Sequence, residues 1–299
     1  MFCDSGNAVF DSRVDWGKYE EWIWKQYRRK SAYDRIQYAK KYAHCLLDKN
    51  CAELLSMKED RRAHVMSALS ALSKFLGVYE EWTSLRKNYG LKWAIRSDDL
   101  IIARFTKTSN PDDLFNWIRL AKRECPDFNE FMDLMLATGL RLEEGVNCYN
   151  LIVELSKQGK LKDYYDSERE ILEHFKFKEI FMRRTKKAFI SFVPKELIER
   201  ISENRKTLTK FAIQSRLKRR TRHVRFGDIR EIHGTLLTRY LGIAEIDFLH
   251  GRVSTGVFMR NYFNPALIGD LQARALKGIQ DIQGKAQRGS LGSESKHEV

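Results

Sequence analysis

Apolar residues recur at spacings of three and four along most of the chain, and that helical period gives way in a few stretches. From Asp11 to Ala94, the runs VDWGKYEEWIWKQYRRKSAYDRIQYAKKYAHCLLD and HVMSALSALSKFLGVYEEWTSLRKNYG carry Leu, Ile, Tyr and Trp at those spacings, without proline. A set of amphipathic helices is predicted there. Asp15 before Trp16 and Ser31 before a helical run are the expected N-caps, and Gly77 and Gly90 the expected stops or tight turns. Around Ser97 to Pro111 the pattern breaks and ends in Ser-Asn-Pro, so a domain boundary is placed there.

Helical text resumes in DDLFNWIRLAKRECPDFNEFMDLMLATGLRLEEGVNCYNLIVEL, where Pro126 separates two helices. In ATGLRLEE, Gly139 can take the positive φ that ends a helix, which puts Arg141 at the start of the next one. From Phe175 to Pro194, FKFKEIFMRRTKKAFISFVP alternates apolar and polar residues about RRTKK, and a β-hairpin with a basic tip is predicted. Lys195 to Arg225 reads as helical and densely basic, either a phosphate-tracking surface or a flexible basic loop. A helix with Arg230 and His233, a turn at Gly242, the stretch LHGRVSTGVFMRNYFNP from Leu249 to Pro265 and an amphipathic run from Ala266 to Ile282 follow. The expected architecture is mainly α with a small antiparallel β-sheet. It comprises a tail at 1–10, a helical domain at 11–107, a second domain at 108–284 that includes the C-terminal helix, and a polar, Gly/Ser-rich disordered tail at 285–299.

Composition adds a partner class. With 299 residues and 43% hydrophobic content, the chain is long enough for two packed cores. Lys+Arg 54 against Asp+Glu 40 gives a net charge of +14, which favours a polyanion such as nucleic acid over a small acidic metabolite. No run approaches the roughly 20 apolar residues that span a bilayer, and MFCDSGNAVF lacks the features of a signal peptide, so a cytoplasmic protein is expected. Cys3, Cys45, Cys51, Cys125 and Cys148 are scattered without a CxxC pair, which argues against a disulfide framework and a zinc site. His44, Cys45 and Cys51 lie close in sequence, but burial of small thiols is the preferred reading and no metal is expected. No GxxxxGK[ST] motif occurs, so nucleotide hydrolysis has no support.

Several basic residues have places where they could meet phosphate. Arg141 at a helix start could grip a phosphate bidentately, with Glu144 bracing it from the same helix face, although a capped helix with a surface ion pair is the better reading of that stretch taken alone. A lysine on the hairpin tip could reach into a groove and protonate a leaving oxygen. Aromatics among the basic residues of WIWKQYRRKSAYDR read as a core stripe, with Lys25, Arg28, Arg29 and Lys30 on a face that touches phosphates. Tyr262, on its short amphipathic stretch, is the candidate nucleophile.

In that order, TGLRLEE, the basic hairpin, DIREIH and the Arg252 to Tyr262 pair resemble the catalytic domain of the tyrosine recombinases (phage-type integrases), with the look of the archaeal virus and plasmid integrases. The resemblance covers roughly Pro111 to Leu276, and the N-terminal helical segment is similar in size and character to that family's core-binding domain. It implies Arg141 as first arginine with Glu144 in support, Arg230 as second, and Tyr262, 32 positions after Arg230, as nucleophile. Lys186 looks like the hairpin lysine with Lys187 close behind, and Arg252 like the third basic position, with His250 as its competitor. Gly227 stands three before Arg230, where the family has His or Lys; His223, Arg225 and His233 are the substitutes. DNA-binding residues are expected at Arg28, Arg29, Lys30, Arg183, Arg184, Lys218, Arg219 and Arg220. The resemblance further implies no cofactor, a double-stranded DNA site as partner, association with the nucleoid, and a tetramer on DNA whose C-terminal helix packs either in trans or on its own domain. The competing expectations are a catalytically impaired, DNA-binding relative and a metal-dependent nuclease. The latter is disfavoured because no dispersed carboxylate cluster accompanies the site.

Overall fold

The computed structural model describes residues 12–93, 102, 111–182, 186–204, 206–252 and 261–288. These are mainly helical, with a small three-stranded antiparallel sheet. The chain divides into two compact units, Met1–Thr108 and Ser109–Val299.

The first unit contains α1 (Trp16–Gln26), α2 (Arg29–Leu47), α3 (Ala52–Leu55), α4 (Glu59–Phe75) and α5 (Tyr79–Asn88). Asp15 caps α1 by accepting the Lys18 N–H at 3.1 Å, as the sequence predicts. Ser31 does not cap α2, which starts two residues earlier at Arg29. Its hydroxyl is taken by the Arg35 guanidinium one turn ahead, so it stays inside the helix. The core is the α2–α4 contact, built on residues such as Ile36, Tyr42, Val65, Leu69 and Leu72, with Tyr19 and Trp82 buried against it. Gly77 and Gly90 take φ 75 and 61 just past the ends of α4 and α5, where a side chain would be strained.

The second unit is arranged about one short helix. α6 (Pro111–Glu124) is followed by a single 3₁₀ turn at Pro126–Phe128, which lets the chain reverse into α7 (Asn129–Thr138). Every residue of α7 from Phe131 to Thr138 is buried, as expected of a helix that is apolar on all sides. Its one charge in that run, Asp133, is paired with Lys122 and with Arg200, the latter at 3.4 Å. α8 (Leu142–Lys157) packs on α7 and leads to β1 (Tyr165–Asp166) and β2 (Ile171–Leu172). β3 (Ser191–Phe192) completes the sheet in the order β1-β2-β3, with Tyr165 opposite Leu172 and Ile171 opposite Phe192.

The stretch from Phe175 to Pro194 is not the expected hairpin. A 3₁₀ turn at His174–Lys176 and a helical turn, α9 (Lys178–Phe181), occupy its first half. Phe177 and Phe181 alternate with polar residues but also stand four apart. A helical turn sets both rings against Tyr164, at 5.2 and 6.1 Å between centroids. That burial outweighs the strand pattern. Antiparallel pairing within the stretch survives as one bridge, Met182 to Lys187, and Ser191 and Phe192 near its end supply β3. Tyr164 and Ser191 also bond both nitrogens of the buried His174 ring, at 2.7 and 2.9 Å.

α10 (Lys195–Glu203), α11 (Lys210–Thr221), α12 (Phe226–Leu237) and α13 (Ile243–Leu249) follow, so the basic stretch divides into two helices. α14 (Leu271–Gln287) lies against α6, α7 and α12, burying Leu271, Ala275, Gly278, Ile279, Ile282 and Ala286. In this chain it therefore closes its own unit. It also continues past 284, the expected start of the disordered tail, because Ala286 is buried and Arg119 satisfies free carbonyls at its end, donating to Arg288 O at 2.8 Å.

Candidate active site

The site grows from the end of α7. Gly139 takes φ 56, closing that helix and turning the chain so that Arg141 stands at the N-cap of α8. Glu144, one turn into α8 and 1% exposed, accepts from the Arg141 backbone N–H at 3.2 Å and from its guanidinium at 3.0 Å. A buried carboxylate thus fixes the Arg141 side chain, which keeps 27% of its surface open.

Arg230, on α12, reaches the same place from the far side. It donates to Gly139 O at 2.7 Å and to His250 O at 2.6 Å, tying the end of α7 to the end of α13. Burial first, and then the neighbouring charges of Arg141 and Arg252, push its guanidinium down to about 10. Arg141 and Arg252, from two other segments, are therefore near enough for their charges to bear on Arg230. Arg252 is the outermost: its side chain is 57% exposed, with Asp247 3.9 Å away.

Beneath them His233 and His250 stack with ring centroids 5.1 Å apart. His233 Nε2 lies 3.1 Å from the Ala137 carbonyl, so it carries the proton, and Nδ1 is left to accept from His250 Nε2 at 2.9 Å. That leaves His250 Nδ1 as a buried lone pair without a partner among the described residues. Both rings are neutral for the same physical reason: burial pushes His233 down to about 4 and His250 down to about 2, with nearby arginines adding to it. A side chain at Gly139 would strike this pair, its Cβ falling 2.5 Å from His233 Nδ1.

His233 has both nitrogens engaged, and Arg225 is engaged by Asp228 at 2.7 Å, so of the three substitutes for Gly227 only His223 keeps an exposed ring without a partner among the described residues. Gly227 itself sits on an open part of α12, with nothing within 4 Å of an added Cβ. His250, the competitor of Arg252, supplies its carbonyl to Arg230 while its ring is buried, so Arg252 is the one of the two that faces solvent.

Lys186 and Lys187 are exposed, and the Lys187 backbone passes close to Gly251. Gly251, at φ 61, lies so close that a Cβ there would come 1.7 Å from the Lys187 carbonyl oxygen. This contact was not foreseen from sequence; a glycine directly before Arg252 was the available signal. Phe189 stacks on Phe248 at 5.4 Å, and Phe248 meets Phe263 at 5.8 Å. That ladder, also unforeseen, runs from the lysine segment through α13 to the residue after Tyr262. Tyr262 is 72% exposed and, among the described residues, makes no hydrogen bond to the three arginines.

Arg28, Arg29 and Lys30 in the first unit, and Lys218, Arg219 and Arg220 at the end of α11 in the second, are all exposed. Arg183 and Arg184 lie outside the described residues. Among those residues, no helix is long and apolar enough to cross a membrane.

A sequence profile described as archaeal phage integrase matches residues 109–275, more than half of the chain and a span that contains Arg141, Arg230, Arg252 and Tyr262. No curated protein and no solved structure matches the chain.

Proposed function

The chain belongs to the archaeal phage integrase family, and from that premise we propose that it is a site-specific DNA recombinase that cuts and rejoins strands through a 3′-phosphotyrosyl intermediate on Tyr262. The observation that supports this best is that Arg141 and Arg252, from two other segments, bear on the partly buried guanidinium of Arg230. A phosphodiester resists attack because its oxygens are anionic, and preorganised cations that offset the charge growing on phosphorus are the remedy. Arg141 offers a fixed, half-open guanidinium, Arg230 a partly buried one held by two carbonyls and Arg252 a solvent-facing one.

In this reading the Tyr262 oxygen bonds to phosphorus and the bond from phosphorus to the 5′ oxygen breaks. Lys186 or Lys187 delivers a proton to that leaving oxygen. The phenol gives up its own proton, and the exposed His223 is the proposed acceptor among the three substitutes for Gly227. Because the phosphotyrosyl ester conserves the energy of the broken bond, rejoining needs no ATP, and the arginines supply the positive charge. The first unit serves as core-binding domain, and Arg28, Arg29, Lys30, Lys218, Arg219 and Arg220 track phosphates. Tetramer formation on DNA, with α14 exchanged or kept, belongs to the same reading.

The test is covalent capture. A pool of nicked duplexes of randomised sequence is incubated with full-length chain, and products are separated under denaturing conditions and sequenced. An adduct that maps to Tyr262 and disappears in Tyr262→Phe is expected, with DNA binding retained. An adduct that persists in Tyr262→Phe overturns the assignment. Tight binding without any adduct selects the second reading, a DNA-binding relative with impaired chemistry, which the missing side chain at Gly227 favours.

A further inference from the structure

The C-terminal end of α2 and the turn into α3 gather three ligand-bearing side chains that recombination does not use. His44 Nε2 lies 3.1 Å from Glu53 Oε2 and 3.5 Å from Cys45 Sγ. All three atoms lie within 4.8 Å of one another. For a tetrahedral zinc centre with Zn–N and Zn–O near 2.1 Å and Zn–S near 2.3 Å, the ligand-to-ligand edges are about 3.4 Å for N to O and about 3.6 Å for N to S. The observed separations, 3.1 and 3.5 Å, are close to those edges.

A hydrogen bond alone explains only part of this. One imidazole nitrogen carries a single proton or a single lone pair, so it can serve Glu53 or the thiol in its ring plane, and not both. An ion on that lone pair, coordinated also by the carboxylate and the sulfur, satisfies all three. Cys51 is not the fourth ligand, since its Sγ lies 3.4 Å from the Cys45 carbonyl, to which it donates. His44 and Glu53 keep about half of their side-chain surface open, 49% and 51%, which gives an ion a way in and leaves a position for water. Cys45 is 0% exposed and forms the floor.

We propose that His44, Cys45 and Glu53 form a surface site for a borderline-soft divalent cation of the zinc class, with water as the fourth ligand, clamping the end of α2 to α3. One imidazole, one thiolate and one carboxylate suit zinc and cobalt better than magnesium or calcium, which prefer oxygen throughout. Binding replaces the Cys45 thiol proton, which leaves to solvent, and no electron is transferred. The sequence alone offered His44, Cys45 and Cys51; the fold turns Cys51 away and brings in Glu53 from beyond the turn instead.

The test uses untagged, full-length chain, stripped with chelator under reducing conditions and titrated with Co²⁺. A near-ultraviolet thiolate-to-cobalt band that saturates at one ion per chain and is displaced by Zn²⁺ is expected. Cys45→Ser should abolish the band. His44→Gln and Glu53→Gln, at exposed positions where folding is safe, should each weaken binding by more than about tenfold. Absence of the band, or a band unchanged in His44→Gln and Glu53→Gln, overturns the site. Circular dichroism of each variant separates lost binding from lost fold.

Discussion

The guanidinium of Arg230 holds the backbone carbonyl of His250 at 2.6 Å, and its other nitrogen holds the carbonyl of Gly139 at 2.7 Å. One side chain on α12 thus links two helix ends that lie 91 and 20 residues from it in sequence. Arg230→Lys cannot reproduce a planar fork across two acceptors, and Arg230→Ala leaves both carbonyls without their donor, at a cost of about 1–3 kcal/mol each. Both variants should lower the denaturant midpoint, and adduct formation should fall by about 10²-fold or more in single-turnover capture.

The stacked pair His233 and His250 makes stability depend on pH in a defined direction. Both folded pKa values, about 4 and about 2, lie below the ordinary 6.5, and His174 is pushed down to about 3 by burial. Depressed values mean that the unfolded chain binds more protons in acid, so the contribution of these rings is complete above about 6.5 and is lost progressively as pH falls toward the folded values. Urea unfolding should give a constant contribution from them near neutrality and falling stability from pH 6.5 to 4.5. His174→Gln, which keeps polar atoms in the ring's place but does not titrate, should make that decline shallower.

Gly251 is required by contact as well as by conformation. At φ 61 an Ala pays the left-handed strain of roughly 1–2 kcal/mol, and its Cβ would sit 1.7 Å from the Lys187 carbonyl. Gly251→Ala should therefore displace the lysine segment from Arg252. Adduct formation should drop while the first unit's exchange protection, read by hydrogen exchange, stays unchanged.

Gly227 presents the opposite case, since nothing lies within 4 Å of an added Cβ and its φ is not positive. Gly227→Ala should leave the fold intact and stabilise it by up to about 1 kcal/mol through helix propensity. Thermal unfolding checks this, and a lower midpoint would mean that the position is more crowded than its geometry indicates.

Much of this fold is legible in the sequence because local rules decide it. The helical period marks α1, α2 and α4 to α8, Gly139 carries the positive φ that its helix end needs, and Arg141 and Glu144 meet because they are three apart on one turn. What could not be read is set by distant partners. Phe177 and Phe181 fit a strand and a helical turn equally well until Tyr164 arrives from another segment to receive both rings. Ser31 has the chemistry of a cap, but Arg35 claims its hydroxyl. The grip of Arg230 on His250, the Gly251–Lys187 contact and the approach of Glu53 to His44 likewise depend on chain reversals that no spacing encodes.

The aromatic ladder gives the last prediction. Phe248 touches Phe189 at 5.4 Å on one side and Phe263 at 5.8 Å on the other, so it is the only ring of the three in contact with both others among the described residues. Phe263 adjoins Tyr262, whose own side chain is 72% exposed and so takes little restraint from packing. Restraint of the tyrosine's backbone therefore comes through its neighbour. Phe248→Ala removes that anchor and, at a partly buried position, should cost less than the 3–5 kcal/mol or so of a fully buried ring. Its effect on chemistry should exceed its effect on stability: adduct formation falls while DNA affinity, governed by the basic residues, stays level. Phe248→Leu, which keeps apolar contact without the stacked geometry, should recover stability more fully than it recovers adduct formation. Equal recovery of both would mean that the ladder is packing alone and does not position Tyr262.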